Sequence, residues 1–263
     1  MAKFFKDIKK YSGYAAYSAR SELKAEVAGS FLSWLWWILD PLLHMLIYSF
    51  IAVLVFKTAE TNFPVFVFIG LNVWQFFSKV LRLSVKLISG NRMIVTKVYI
   101  PKFILLFEKM GVSAFKMFIS FILTAVFMVI YKIPINWQIL WVIPLLLLLF
   151  LITFAVGIIV MHFGVFVEDL SNIMNVVLQL WFYVSGVFYS IESRISGYSV
   201  TLAKYMVYLN PMALIMTDMR TAVLGTGEFH FAALAVWFLV GIVVSACGIS
   251  IVYKYENSYV KVI

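Results

Sequence analysis

The stretch IPLLLLLFLITFAVGIIV, Ile143–Val160, decides the class of this protein. It contains no charged residue, and its apolar residues do not alternate with polar ones. A transmembrane β-strand has about ten residues of alternating polarity, whereas a membrane-spanning helix needs roughly 20 predominantly apolar residues. The stretch therefore predicts a transmembrane helix.

The remainder of the chain has the same character. Of its 263 residues, 64% are hydrophobic and only 13% are charged, and the mean hydropathy is +1.00. Soluble domains average about 45–50% apolar and about 25% charged residues. The sequence thus predicts an all-α integral membrane protein with one transmembrane domain, 1–263, and six transmembrane helices. The predicted spans are 34–56, 63–83, 103–131, 139–167, 173–191 and 231–253.

The distribution of lysine and arginine predicts the orientation. These residues are concentrated in the N-terminal segment and around the connection between the second and third spans. By the positive-inside rule, both regions and both termini are predicted to be cytoplasmic. The formal net charge of +9 is explained by this topology, so no nucleic-acid partner is expected. The N-terminal stretch lacks the apolar core of a cleaved signal peptide, so we expect the first span to be retained.

Two segments are predicted to lie outside the spans. In 1–31, Phe4, Phe5 and Ile8 occupy one helical face and lysines the others, which favours an amphipathic helix at the lipid headgroups. A solvated N-terminal helix is the alternative. The connection 192–230 contains apolar pieces too short to span, interrupted at Asn210-Pro211, and is predicted to form a re-entrant or interfacial outer hairpin.

Three predicted spans carry polar residues three or four positions apart, which places them on one helical face. A polar side chain in hydrocarbon is costly, so each face should meet the bundle interior, a partner subunit or a wet cavity. The three sets are Trp37, Asp40, His44 and Tyr48; Asn72, Gln75, Lys79, Arg82 and Lys86; and Asn172, Asn175, Gln179, Tyr183 and Gly186.

Simpler interpretations of the first set remain open. Asp40 could pair with a lysine or cap a helix at the cytoplasmic interface. Trp34, Trp36 and Trp37 could form an interfacial aromatic belt, which is common at membrane surfaces. His44 could be a hydrogen-bonded histidine inside the bundle.

Motifs of known catalytic sites are absent from the sequence. The chain has no G-x-x-x-x-G-K-[ST] loop for nucleotide phosphates, no H-E-x-x-H, no G-x-S-x-G and no C-x-x-C. Three scattered histidines and the single Cys247 make a metal site improbable. Glu168 and Asp169 are adjacent, so their side chains diverge on a helix. We expect no enzyme active site, metal or cofactor on this chain.

Four blocks of sequence resemble the polysaccharide-export permeases of the type-two ATP-binding-cassette class, which move O-antigen, teichoic acid and related lipid-linked glycans. The blocks follow the family's order and cover nearly the whole chain. They are SELKAEVAGSFLSWLWWILDPLLHMLIY (Ser21–Tyr48), FIGLNVWQFFSKVLRLSVKLISGNRMIVTKVYIPKFIL (Phe68–Leu105), VEDLSNIMNVVLQLWFYVSGVFY (Val167–Tyr189) and YLNPMALIMTDMRTAVL (Tyr208–Leu224). The chain departs from the family at two places. It has Glu168-Asp169 where Arg-Asp is usual, and Ser185-Gly186 where Ser-Pro is frequent.

The resemblance implies two copies of this subunit assembled with two copies of a separate ATPase, which binds ATP and Mg²⁺. It implies a homodimer in the cytoplasmic (inner) membrane of a bacterium, with the translocation path at the dimer interface. The cargo would be a glycan on a polyprenyl pyrophosphate. The segment 88–102 would contain the coupling helix that contacts the ATPase, with Asn91, Arg92 and Lys97 as its contact residues.

Two further sets of residues are assigned on the same basis. Arg82, Lys86, Arg92 and Lys97 would attract the pyrophosphate at a cytoplasmic gate. The translocation path would contain Trp37, Asp40, His44, Tyr48, Asn175, Gln179, Phe182 and Tyr183, whose aromatic rings suit the passage of sugars. The alternatives are a type-two permease for a drug or a lipid, a secondary carrier or channel, and a non-transporting membrane scaffold.

Overall fold

The computed structural model describes residues 2–29, 32–54 and 62–262, so the end of the first predicted span lies outside the described residues. Two short 3₁₀ turns, Ser33–Leu35 and Trp137–Trp141, precede α2 and α7. The helices are α1 Ala2–Ala28, α2 Trp36–Leu54, α3 Phe63–Val85, α4 Leu87–Gly90, α5 Arg92–Lys97, α6 Lys102–Ile130, α7 Val142–Phe166, α8 Leu170–Val184, α9 Ile191–Ile195, α10 Val200–Leu209, α11 Pro211–Leu224 and α12 Phe231–Val262.

Five helices in the described part of the chain are long and apolar enough to cross a membrane. They are α2, α3, α6, α7 and α12, with the 3₁₀ turns extending α2 and α7. The prediction of an all-α integral membrane protein is therefore confirmed. The last predicted span, 231–253, is part of a longer helix, because α12 continues to Val262.

The helix at the predicted span 173–191 has different bounds, and whether it crosses the membrane stays a prediction. The helix at this position is α8, Leu170–Val184, which has 15 residues. It ends there because Gly186 has a φ of +67°, a conformation that residues with a Cβ rarely adopt. At 1.5 Å per residue, α8 is about 22 Å long and shorter than the ~30 Å hydrocarbon core.

The centre of the bundle is α3, which packs against α2, α6, α7, α8 and α11. Within its apolar window, 83% of residues are buried, compared with 28% for α6 and for α12. Since α3 has neighbours on nearly every side, its polar residues can reach only the space between helices. The spacing of those polar residues therefore determines where polar cavities can form.

The N-terminal helix α1 lies along α6. Phe4 packs against Phe103 at 4.9 Å between ring centroids, and Lys109 Nζ lies 2.6 Å from a Glu22 carboxylate oxygen. Phe5, next to Phe4, remains 68% exposed. Part of the apolar face of α1 thus covers the bundle, and its position at the lipid headgroups stays a prediction.

The connection 192–230 forms three helices, α9, α10 and α11. Asn210 caps α11, because its side-chain oxygen accepts from the backbone nitrogens of Met212 and Ala213, and Pro211 occupies the first helical turn. Nearly all of α11 is buried, and it contacts α3 and α7. The apolar pieces on either side of Asn210-Pro211 form α10 and α11, whereas the re-entrant or interfacial hairpin predicted for this connection stays a prediction.

Candidate translocation site

A cavity of about 800 Å³ lies between the end of α1 and helices α2, α3 and α6. Four residues that the resemblance assigns to the translocation path or the gate line it, namely Trp37, Asp40 and His44 of α2 and Arg82 of α3. The polar residues of α3 that share a face with Arg82, including Gln75 and Lys79, line it as well. The polar faces of α2 and α3 therefore meet at one cavity instead of pointing in different directions.

Pro41 lies inside α2 beside the cavity and interrupts the backbone hydrogen bonds of the helix there. Proline has no backbone N–H, so it cannot donate to the carbonyl four residues earlier. His44 Nδ1 donates to the Asp40 carbonyl oxygen at 2.8 Å, and the same nitrogen lies 3.5 Å from the Asp40 carboxylate. His44 is thus hydrogen-bonded within its own helix, while Asp40 remains exposed to the cavity.

Further along the same face of α2, an aromatic cluster replaces the charged residues. The Tyr48 ring stacks on Phe188 at 5.7 Å and lies 5.5 Å from Phe182 of α8. Tyr183 packs edge-on against Phe182 at 5.3 Å. Tyr48, Phe182, Tyr183 and Phe188 form what we call the aromatic cluster, so the face of α2 runs from a charged cavity to a set of ring surfaces.

Other predicted site residues lie away from the cavity. Asn175 and Gln179 are exposed on α8. Lys86 follows the end of α3, and Arg92 and Lys97 belong to α5; all three are exposed and none lines the cavity. Of the four cations assigned to a pyrophosphate gate, only Arg82 lies in the cavity. The set predicted as one gate is therefore divided between two places.

The sequence reasoning missed a fourth polar face, on α6. Ser113, Lys116 and Ser120 line the cavity opposite Lys79, and Glu26 of α1 lies at its edge. Ser113, Lys116, Ser120 and Thr124 are spaced by three or four residues, the pattern that identified the other three faces. A lysine near the middle of an apolar span is itself a sign of function and could have revealed this face.

A pair of hydrogen-bond networks holds the turn after α8 against the bundle. Asn210 accepts from Trp181 Nε1 at 2.9 Å and donates to Ser185 Oγ at 2.9 Å. Arg220 of α11 donates to the carbonyls of Gly186 and Val187. Since this turn carries Phe188, the two networks also position the aromatic cluster.

A separate polar cluster joins α9, α11 and α12. The His230 backbone nitrogen and Nδ1 both donate to the buried carboxylate of Asp218, at 3.1 and 2.6 Å. His230 Nε2 lies 3.3 Å from Glu192 Oε1, and the Tyr208 ring packs edge-on against the imidazole. Hydrogen bonds to Asp218 and Glu192 raise the pKa of His230 from 6.5 to about 9.

We expect this cluster to make the stability of the protein depend on pH. Because the pKa of His230 is higher in the folded chain, its stabilisation is complete below pH 6.5 and is lost as the pH rises through about 9. The melting temperature of His230→Gln should fall furthest below that of the wild type at pH 6, and the difference should narrow towards pH 10.

A matched variant controls for the general effect of pH. His162 pairs with the uncharged Tyr259 hydroxyl at 2.8 Å, so the difference caused by His162→Gln should stay constant between pH 8 and 10. If the difference in melting temperature between His230→Gln and the wild type did not change between pH 6 and 10, the assignment of a charged His230 would be contradicted.

The lining of the cavity is charged and polar. Within 2–29, 32–54 and 62–262, no group of three histidine, cysteine, aspartate or glutamate residues is placed to hold a metal ion. The cavity presents cations, carboxylates, hydroxyls, amides and ring faces. Such groups can bind a polar or charged solute.

The chain is similar to known membrane transport proteins over most of its length. A match to the family described as "ABC-2 type transporter" covers residues 18–224. The chain is 31% identical over 218 residues to O-antigen export system permease protein RfbA of Myxococcus xanthus, with 83% of each chain covered. Two proteins of the same name from Klebsiella pneumoniae are 24% and 22% identical over 243 residues, with 92% of each chain covered.

The family match begins within α1 and ends at the last residue of α11. It includes every residue that lines the cavity and all of the aromatic cluster. This chain therefore belongs to the ABC-2 type transporter family.

Proposed function

We propose that the chain is the transmembrane subunit of an ATP-driven exporter that moves a polyprenyl-pyrophosphate-linked polysaccharide of the O-antigen type across a bacterial inner membrane. Similarity to three O-antigen export permeases over 83–92% of their length carries this proposal. The cavity and the aromatic cluster along α2 support it, because a charged lipid headgroup and a neutral sugar chain require different surfaces.

ATP hydrolysis in this exporter would take place on a separate chain. The sequence contains no phosphate-binding loop, so ATP and Mg²⁺ would bind to a partner ATPase. We propose two ATPase subunits and two copies of this chain. Support for the second copy comes from α8, where Asn175, Gln179 and Tyr183 are exposed on a helix that packs on α3 with its other side.

We also propose that α8 is a short sixth span. An even number of spans puts both termini on the cytoplasmic side, as the positive-inside rule predicts. The shortfall in the length of α8 would be made up by the turn and helices that follow it, of which α11 is held in the bundle interior. This arrangement corresponds to the predicted re-entrant hairpin.

The segment 88–102 has the surface of a docking site for the ATPase. Met93 is 72% exposed, and Val98 and Tyr99 are 55% and 54% exposed, beside the exposed cations Arg92 and Lys97. Exposed apolar side chains that lie together mark interaction sites. The Tyr99 hydroxyl donates to Glu256 of α12 at 3.2 Å, so movement of this segment would reach the bundle directly.

Arg92→Glu is expected to uncouple the exporter. The charge reversal should weaken docking of the ATPase, and we expect export to fall about tenfold or more while ATP hydrolysis continues, since charge pairs across interfaces contribute roughly 1.5–7 kcal/mol. Export and ATP hydrolysis should be measured on the same reconstituted complex. Arg194→Glu, an exposed arginine on α9, is the control and should change neither quantity. If export and ATP hydrolysis remained coupled in Arg92→Glu, the contact with the ATPase would have to involve other residues.

The proposal as a whole is tested by purifying the tagged chain gently from its native membrane and identifying what accompanies it by mass spectrometry. We expect a stoichiometric protein with a phosphate-binding loop, together with lipid-linked saccharide. An unrelated tagged multi-pass protein from the same membrane is the control. A chain that purifies alone and remains folded would contradict an ATP-driven exporter and favour a carrier or channel.

A further inference from the structure

The cavity beside α1 contains more charge than passage of a neutral sugar requires. Its cations are Lys79 and Arg82 of α3 and Lys116 of α6, and its carboxylates are Glu26 and Asp40. Charged side chains within membrane helices are costly and are retained where they serve a purpose. An excess of positive charge in a cavity of about 800 Å³ indicates a site for an anion.

Lys79 and Arg82 are the two cations of this cavity that form no salt bridge among the described residues, and Glu26 and Asp40 act on Lys79 only from beyond salt-bridge distance. Lys79 is exposed to the cavity. It lies close enough to Lys116 for the two ammonium groups to repel each other. An anion bound between them would be attracted by both ammonium groups, and these attractions would offset the repulsion.

A buried hydroxyl in the cavity also lacks a partner. Ser113 is 3% exposed and lines the cavity, and its Oγ makes no hydrogen bond. A buried polar group without a hydrogen-bond partner is destabilising, so such groups are uncommon in folded proteins. Ser113 precedes Lys116 by three residues and therefore lies on the same face of α6. The hydroxyl can donate to a ligand that Lys116 binds.

A carboxylate of α1 occupies part of this site. Glu26 accepts from Lys116 Nζ at 2.8 Å and from Trp37 Nε1 at 3.3 Å. The Glu26 side chain is nevertheless 37% exposed, and α1 ends two residues later at Ala28. Glu26 can therefore swing away from the cavity without disturbing the core. Its carboxylate marks the position where an external oxyanion would meet Lys116.

We infer that this cavity binds a phosphate-bearing anion on Lys79, Lys116, Arg82 and Ser113, and that the anion displaces Glu26. Once Glu26 has left, three cations face the single carboxylate of Asp40, a balance that suits a dianion. Lysine ammonium groups and hydroxyls are common donors to phosphate oxygens. The inference rests on the proposed function only for the source of the anion, which is either the headgroup of a lipid-linked cargo or free phosphate.

The full-length protein in phosphatidylcholine nanodiscs allows a direct test by isothermal titration calorimetry with inorganic pyrophosphate and farnesyl pyrophosphate. We expect Lys79→Gln and Lys116→Gln each to weaken binding about tenfold or more, since each substitution removes a charged donor to the anion. Glu26→Gln should bind several-fold more tightly because it removes the competing carboxylate. A misfolded variant cannot produce tighter binding, so Glu26→Gln separates the inference from a loss of structure.

The matched control is Lys109→Gln. Lys109 lies on the same helix as Lys116 and pairs with Glu22, but it is not part of the cavity, so pyrophosphate affinity should not change. Tighter binding of farnesyl pyrophosphate than of inorganic pyrophosphate identifies a lipid headgroup as the source, and equal affinities identify free phosphate.

Two results overturn the inference. One is a wild-type protein that binds neither probe, and the other is binding that is unchanged in Lys79→Gln, Lys116→Gln and Glu26→Gln. The proposed function is judged separately, by purification with an ATPase and by export. A complex that exports cargo but fails to bind pyrophosphate would refute the inference and leave the exporter intact.

Discussion

Gly164→Ala is expected to destabilise the bundle strongly. Gly164 lies near the end of α7, where a Cβ would be 1.9 Å from the carbonyl oxygen of Val85 and 2.7 Å from its carbonyl carbon. These are backbone atoms at the end of α3, so no side chain can rotate to relieve the clash. Overpacking typically costs 1–3 kcal/mol, and a backbone clash of this size should cost about 3 kcal/mol or more.

The measurement is the yield of monodisperse protein in detergent and its melting temperature, compared with Gly111→Ala. Gly111 lies on α6, and a Cβ there would be 3.6 Å from the Ala19 Cβ, an ordinary contact. Both substitutions replace a helical glycine, which removes the same conformational penalty. Gly111→Ala should therefore match or exceed the wild-type stability. A Gly164→Ala protein as stable as Gly111→Ala would contradict the close packing of α7 on α3.

Arg220→Met should cause the second large loss. Arg220 is 6% exposed, donates to the carbonyl oxygens of Phe66, Gly186 and Val187, and lies 3.6 Å from the Phe66 ring centroid. Methionine has a similar length but offers no donor, so these carbonyls lose their partner inside the bundle. At about 1–3 kcal/mol for each unsatisfied group, we expect a loss of several kcal/mol and release of the turn after α8.

The control for this variant is Arg194→Met, which replaces an exposed arginine of α9 and should change stability by less than about 0.5 kcal/mol. Arg220→Lys should recover little of the loss, because a single ammonium group cannot match the planar donors of a guanidinium group. Melting temperature and export should be measured together. Wild-type values of both in Arg220→Met would show that the turn is held by other contacts, such as those of Asn210.

The sequence was a good guide to faces of helices and a poor guide to their pairing. Trp37, Asp40 and His44 share a face because helical periodicity is local, and the structure places all three on one cavity. The sequence did not indicate which other helices that face would contact. Lys86, Arg92 and Lys97 carry the same charge as Arg82, yet they follow the end of α3 at Val85 and do not line the cavity.

The extent of α8 shows the same limit. The apolar run 173–191 is long enough for a span, and hydropathy does not detect the turn at Ser185 and Gly186. That turn is set by contacts from distant positions, since Arg220 donates to the Gly186 carbonyl from 34 residues away. An apolar run therefore predicts where a helix begins better than where it ends.

The sequence by itself determined the class of the protein, most of its long helices and three of their polar faces, because hydropathy and periodicity depend on neighbouring residues. The family also followed from the order of its motifs. Only the tertiary structure decided that Lys79, Lys116, Ser113 and Glu26 meet in one cavity. These residues lie on three helices far apart in sequence, and their convergence depends on how α1, α3 and α6 pack.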